Sequence, residues 1–164
     1  MSTTRVQPAP QKITTFLWFD NNAEEAANFY VSVFKNSRVL GFMRNGEGGP
    51  GPKGSVLTVE FELDGQRFTG LNGGPQFKFT EAISLVVHCE TQEEIDYFWE
   101  KLSADGGKEV ECGWLKDKFG LSWQVWPNIL SELMTGDKSD RVLQAVMGMK
   151  KLDIAELKRA AEAG

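Results

Sequence analysis

The chain has one histidine and only two cysteines, Cys89 and Cys112, among its 164 residues. Two cysteines are too few for the multi-bridge framework that small secreted domains use in place of a large core. A divalent metal centre needs about three protein ligands, so histidine supplies at most one here. Lys/Arg clusters are missing too, and the net charge is -5 with a pI near 5.0. That balance argues against nonspecific nucleic-acid binding, which needs a basic face to displace counterions. No apolar run approaches the roughly 20 residues that cross a bilayer, and Met1 to Pro10 has no signal-peptide core, so a soluble, cytoplasmic protein with no membrane contact is expected. The length suits one domain that needs no metal or disulfide to fold.

What is present is a repeat. Residues 16–34 run through Phe-Leu-Trp-Phe and a turn into a helical pattern, and residues 83–102 follow the same order. Asn22 precedes Glu25 by three positions, as Thr91 precedes Glu94. A small polar residue with Glu three positions later satisfies the orphan amides of a helix start, so each copy marks a strand-to-helix junction. Phe29 maps to Phe98 and Tyr30 to Trp99, an offset of 69 positions. Such a duplicated module predicts a site at a seam.

The periodicity predicts a strand over 13–20, a helix over 23–34, a strand over 38–44, and strands over 55–63 and 66–71 joined at Asp64-Gly65. Residues 45–54 hold five glycines and two prolines, which no helix or interior strand tolerates, and are read as a loop that serves as a flap or an inert connection. The second copy predicts a strand over 82–89, a helix over 93–104 stopped at Asp105-Gly106-Gly107, and strands over 109–115 and 121–126. Helices over 141–149 and 154–163 follow, the latter capped by Asp153 with Glu156 three on. Their apolar positions Val142, Leu143, Val146 and Leu157 need cover, either from their own sheet or from a partner subunit.

Three motifs now carry a resemblance. Leu71-Asn72-Gly73-Gly74-Pro75-x-Phe77-x-Phe79-Thr80, then Cys112-Gly113-Trp114-Leu115-x-Asp117-x-Phe119-Gly120-x-Ser122-Trp123-Gln124, and the opening Phe19-Asp20-x-x-Ala23-Glu24-Glu25-Ala26 occur in the family's order. They resemble the PhnB-like branch of the glyoxalase, or vicinal-oxygen-chelate, superfamily, whose members often carry the description 3-demethylubiquinone-9 3-methyltransferase. The resemblance implies an α+β chain of two βαβββ modules, with curved, mostly antiparallel sheets forming a cup, plus C-terminal helices. It implies a homodimer as well. The organisation expected is a flexible lead over 1–12, one domain over 13–150 with modules at about 13–72 and 82–127, and a terminal helix over 151–164.

The resemblance also locates the superfamily's metal ligands. They would fall near Thr14 or Thr15, within residues 83–85, and at Gln124, none of them a strong cation ligand. No metal and no cofactor is therefore expected. A methyl donor nucleotide needs a Gly-rich turn after a buried parallel strand. The one Gly-rich run, residues 46–55, carries prolines that remove backbone donors, and its Lys-Gly-Ser order fails the P-loop pattern.

Alternation places Ser84, Val86 and His88 on one strand face, with Ser122, Gln124 and Trp126 sharing a face of the closing strand. With Trp114, which is able to stack on a planar ligand, the residues Ser84, Val86, Ser122, Gln124 and Trp126 are the candidate binding set. His88 is a candidate proton acceptor or a structural imidazole. Cys112 is a candidate nucleophile, provided a base stands near it, or a small buried hydrophobe. Two functions follow. One is a metal-independent binding protein for a small apolar or aromatic compound; the alternative is an enzyme of lyase, isomerase, dioxygenase or methyltransferase type using His88 or Cys112.

Overall fold

A computed structural model describes residues 11–163. Residues 1–10 of the expected lead, and residue 164 of the expected terminal helix, lie outside the described residues. The chain parts into two compact units between Phe77 and Lys78. Among the described residues no helix is long and apolar enough to cross a membrane.

The first unit is β1 (Thr15–Phe19), α1 (Ala23–Val33), β2 (Arg38–Arg44), β3 (Val56–Leu63) and β4 (Gln66–Asn72). Its sheet runs β1-β4-β3-β2, with β1 parallel to β4 and the other pairs antiparallel. Ala23, Ala26 and Ala27 line the buried face of α1, so the helix lies close on the strands. Gly70 fits that approach, because a Cβ there would meet Val59 at 3.2 Å and Ala23 at 3.4 Å. Tyr30, Phe61 and Phe68 stack in the layer between, with centroids 6.1 and 5.4 Å apart. The alternation of β3 breaks at its start because the register shifts there, Met43 facing Thr58 while Arg44 faces Val56. A bulge of this kind flips the side chains beyond it.

The start of α1 corrects the capping expectation. Asn22 makes no side-chain cap bond. Instead Asn72, from the end of β4, accepts from the Ala23 amide at 2.9 Å and donates to the Val56 carbonyl at 3.0 Å. The Gly-Gly-Pro stretch after it is shaped by Trp18, whose indole donates to the Gly74 carbonyl at 2.9 Å and meets Phe77 edge-on. The loop after β2 is pinched at its base, where the Asn45 amide donates to Ser55 O at 2.8 Å and Gly54 N donates back to Asn45 O at 2.7 Å.

The second unit is β5 (Ser84–Cys89), α2 (Gln92–Ser103), β6 (Lys108–Glu109), β7 (Trp114–Lys116) and β8 (Ser122–Pro127), then α3 (Leu130–Leu133), α4 (Ser139–Met147) and α5 (Ile154–Glu162). Its sheet, β5-β8-β7-β6, repeats the plan of the first, with the parallel pair again between first and last strand. Thr91 caps α2 by accepting from the Glu94 amide at 3.2 Å, and Asp153 caps α5 by accepting from the Glu156 amide at 3.0 Å. The single strand expected over 109–115 is two short strands, because Cys112 and Gly113 both take positive φ, 63° and 80°. Two such residues in succession make the mirror-image hairpin turn, closed by Trp114 N donating to Glu111 O at 3.2 Å.

That turn is also where the C-terminal helices dock. Cys112 N and Gly113 N donate to the Met149 and Lys150 carbonyls, both at 2.8 Å. Leu130, Leu133, Val142, Val146, Leu152 and Leu157 form a buried cluster with Cys112 and Trp126 against it. Own-chain packing thus covers Val142, Val146 and Leu157, while Leu143 stays exposed. Gln92 ties the starts of α2 and α5, donating to Leu152 O at 3.1 Å and accepting from Ile154 N at 2.8 Å.

Candidate functional site

The second sheet has one face under α2; on the other, the open face, Val86 and His88 are exposed, Ser84, Trp114, Gln124 and Trp126 half-buried and Ser122 buried, the Trp126 end packing on the C-terminal helices. Ile95, Trp99 and Leu102 of α2 are buried, as are Val87, Cys89, Leu115, Trp123 and Val125 of the strands. Side chains alternate along a strand, so Ser84, Val86 and His88 take the open face of β5. The register then sets Ser84 beside Ser122, Val86 beside Gln124 and His88 beside Trp126. On the other side of β8, Trp114 lies beside Gln124 and Lys116 beside Ser122. All six expected binding residues therefore share one face.

One hydrogen bond, one unpaired hydroxyl and one ion pair mark its polar end. Gln124 Nε2 donates to Ser84 Oγ at 2.9 Å. The Ser122 hydroxyl, by contrast, is buried without a hydrogen-bond partner among the described residues, the residue being 1% exposed. Leaving a buried hydroxyl unpaired costs about 1–3 kcal/mol, so an orphan of this kind calls for an explanation. Lys116 forms an ion pair with Glu81, just ahead of β5.

The structure separates the reactive candidates. His88 is exposed and Cys89 fully buried, as opposite faces require. Carrying the β7–β8 register on through the bond from Val125 N to Gly113 O places Cys112 level with Trp126. Trp126 then stands between Cys112 and His88, two strand spacings or about 10 Å apart. A nucleophile and its base need about 3 Å. Burial, with a smaller contribution from Glu94, pushes the Cys89 thiol up to about 12. Stability linked to this thiol is fully present below about pH 9 and is lost as the pH climbs toward about 12. Iodoacetamide at pH 8.5 is accordingly expected to leave Cys89 unmodified in the native chain and to label it in urea; native labelling read by peptide mass would contradict this.

The metal expectation is tested by the donor set. Among the described residues no three His, Cys, Asp or Glu side chains come together to hold a metal ion. The resemblance would place ligands near Thr14 or Thr15, within residues 83–85 and at Gln124; Thr15 shares the helix-facing side of β1 with Leu17 and Phe19, while Ser84 and Gln124 lie on the face described above. Hydroxyls and one carboxamide are poor ligands for a divalent cation. These residues do not fit one.

Sequence reading missed Asp117. It is 2% exposed; its Oδ1 accepts from the amides of Phe119 at 2.9 Å and Leu121 at 3.1 Å, and its Oδ2 accepts from Trp123 Nε1 at 2.8 Å. The carboxylate thus organises the turn that delivers Ser122 and Gln124. An Asp three residues before a Gly, between two strands, is the signal that gives such a turn away.

Comparison with known proteins agrees with this architecture. The family model described as 3-demethylubiquinone-9 3-methyltransferase matches residues 11–126. The PhnB protein from Bacillus cereus is 43% identical, covering 71% of this chain and 99% of its own, with a TM-score of 0.65. Protein PA1353 from Pseudomonas aeruginosa shares the fold at 17% identity, covering 71% and 97% of the two chains, with a TM-score of 0.59. So does the fosfomycin resistance protein FosX from Listeria monocytogenes, solved with Mn(II) and sulfate, at 14% identity, 77% and 96% coverage and a TM-score of 0.52. Among curated proteins nothing matches.

Proposed function

The chain belongs to the 3-demethylubiquinone-9 3-methyltransferase-like, or PhnB, family of the glyoxalase superfamily, and we propose that it binds a small, largely apolar molecule on the open face of β5, β8 and β7 without help from a metal. The observation that carries this is the Gln124–Ser84 hydrogen bond beside the unpaired Ser122 hydroxyl, on a face that also presents Val86, Trp114 and Trp126. Indole rings offer flat apolar contact, and a few placed polar groups fix orientation.

The family description names a methyl transfer, for which a Gly-rich turn at a strand-to-helix junction would cradle the donor nucleotide. Here β1 leads into α1 through Asp20, Asn21 and Asn22, and β5 leads into α2 through Glu90 and Thr91, with no glycine at either junction. These residues favour binding over methyl transfer.

Tryptophan fluorescence titrated with a panel of small aromatics tests the reading. Gln124→Leu removes the group that orients Ser84 and is expected to weaken the best binder about 3–10-fold, one hydrogen bond's worth, with EDTA making no difference. Saturable quenching absent across the panel would defeat the proposal. Turnover of a panel compound that vanishes in His88→Ala or Cys112→Ala would replace it with an enzyme.

A further inference from the structure

We propose that the ligand of this face carries a carboxylate, received by Ser84, Ser122 and Lys116, and that Glu81 occupies the lysine until the ligand displaces it. The inference rests on the binding reading above and narrows it to acidic ligands.

The register puts three donors in a row across three adjacent strands. Ser84 faces Ser122, and Ser122 faces Lys116. Neighbouring strands lie about 4.8 Å apart, so one oxyanion reaches two of these groups at once. The Ser122 hydroxyl has no partner among the described residues. Ser84 Oγ already accepts from Gln124, which leaves its own proton free to donate outward. Ser84 thus offers an O–H outward, the Ser122 hydroxyl, closed to solvent while the face is empty, is uncovered as the ligand seats, and Lys116 ends the row.

Charge points the same way. In a chain of net charge -5, two lysines meet here, since Lys108 lies beside Lys116 in the β6–β7 register. Glu81 reports the field. Its carboxyl is held below the usual carboxylate range, first by the hydrogen bond from Lys116 and also by the charge of Lys108. A carboxylate is therefore the group that already sits on this lysine. Glu81 is nevertheless easily moved, for its side chain is 63% exposed, and exposed ion pairs hold weakly.

The apolar body has a place as well. One step along the strands from the donor row, on the same face, stand Val86, Gln124 and Trp114. That step is two residues, about 6.7 Å, which suits an aromatic acid of two fused rings lying along the strand with its acid group at Ser122.

The test uses 2-naphthoate and its neutral isostere 2-naphthamide, titrated at low salt into the 15N-labelled full chain while the Trp114 indole N–H resonance is followed. The acid is expected to bind at least about fivefold more tightly than the amide. Lys116→Met should erase that preference while the amide still binds, which shows that the variant is folded. Glu81→Gln, which removes the competitor, should tighten naphthoate about threefold and leave naphthamide unchanged. Equal affinities for the two compounds, a preference surviving Lys116→Met, or naphthoate weakened by Glu81→Gln would overturn the carboxylate inference and leave the binding face standing. No shift with either compound would overturn both.

Discussion

Asp117→Ala is expected to lower the free energy of unfolding by about 3–5 kcal/mol, a third or more of the stability of an ordinary domain. The side chain is 2% exposed and accepts three hydrogen bonds, from the amides of Phe119 and Leu121 and from the Trp123 indole. Bonds to a charged acceptor contribute about 1.5–3 kcal/mol each, and they are not additive. Truncation orphans all three donors where water has little access. Urea or thermal denaturation reads the effect directly, the midpoint falling by roughly 6–20 °C for a chain of this size. Asp117→Asn discriminates further. The carboxamide keeps one oxygen for the two backbone amides but turns an N–H toward the indole N–H of Trp123, donor against donor. It should therefore lose about half as much as alanine, and combining it with Trp123→Phe should cost less than the sum of the two single changes. A loss under about 1 kcal/mol for Asp117→Ala would show that the carboxylate does not hold the turn.

Gly107→Ala is expected to be nearly as damaging, at about 3 kcal/mol, for a steric reason. A Cβ there would lie 2.5 Å from the Ser103 carbonyl oxygen and 2.8 Å from that of Lys116. Both obstacles are backbone, one at the end of α2 and one on β7, so no side-chain rotation relieves the contact. The helix end and the β6–β7 hairpin must separate. Because Lys116 moves with β7, the acid preference proposed for the open face should fall in parallel. Gly48→Ala is the control: nothing lies within 4 Å of its Cβ. There alanine only restricts the unfolded chain, so stability should hold or rise by less than about 1 kcal/mol. Matching denaturation midpoints for the two variants would remove the steric account.

The candidate face was legible because it depends on a local rule. Alternation along two short runs was enough to group Ser84 and Val86, and to group Ser122, Gln124 and Trp126. That both runs belong to one face follows only from the β5–β8 register. Lys116 escaped notice because residues 109–115 were read as one strand, whereas two positive-φ residues divide the segment and begin β7 at Trp114. Glu81 had no sequence signal at all. Its partner lies 35 positions away in a different element.

The cap of α1 shows the same limit from the other side. Asn22 and Thr91 occupy equal places in the repeat, yet only Thr91 caps its helix, and Asn72 takes over from 49 residues away. The motifs that suggested the family turn out to be largely structural. Asn72, Gly73 and Gly74 shape the first unit around Trp18, and Asp117 shapes the turn before β8.

By itself, then, the amino-acid order determined the two modules, most of their helices and strands, and which side chains alternate together, because backbone periods of 2 and about 3.6 act between near neighbours. Tertiary structure alone decided which distant groups meet: Asn72 at the start of α1, Glu81 on Lys116, Trp126 between Cys112 and His88. Those meetings depend on strand register and on where each turn ends, and a one-residue slip in either would exchange the faces.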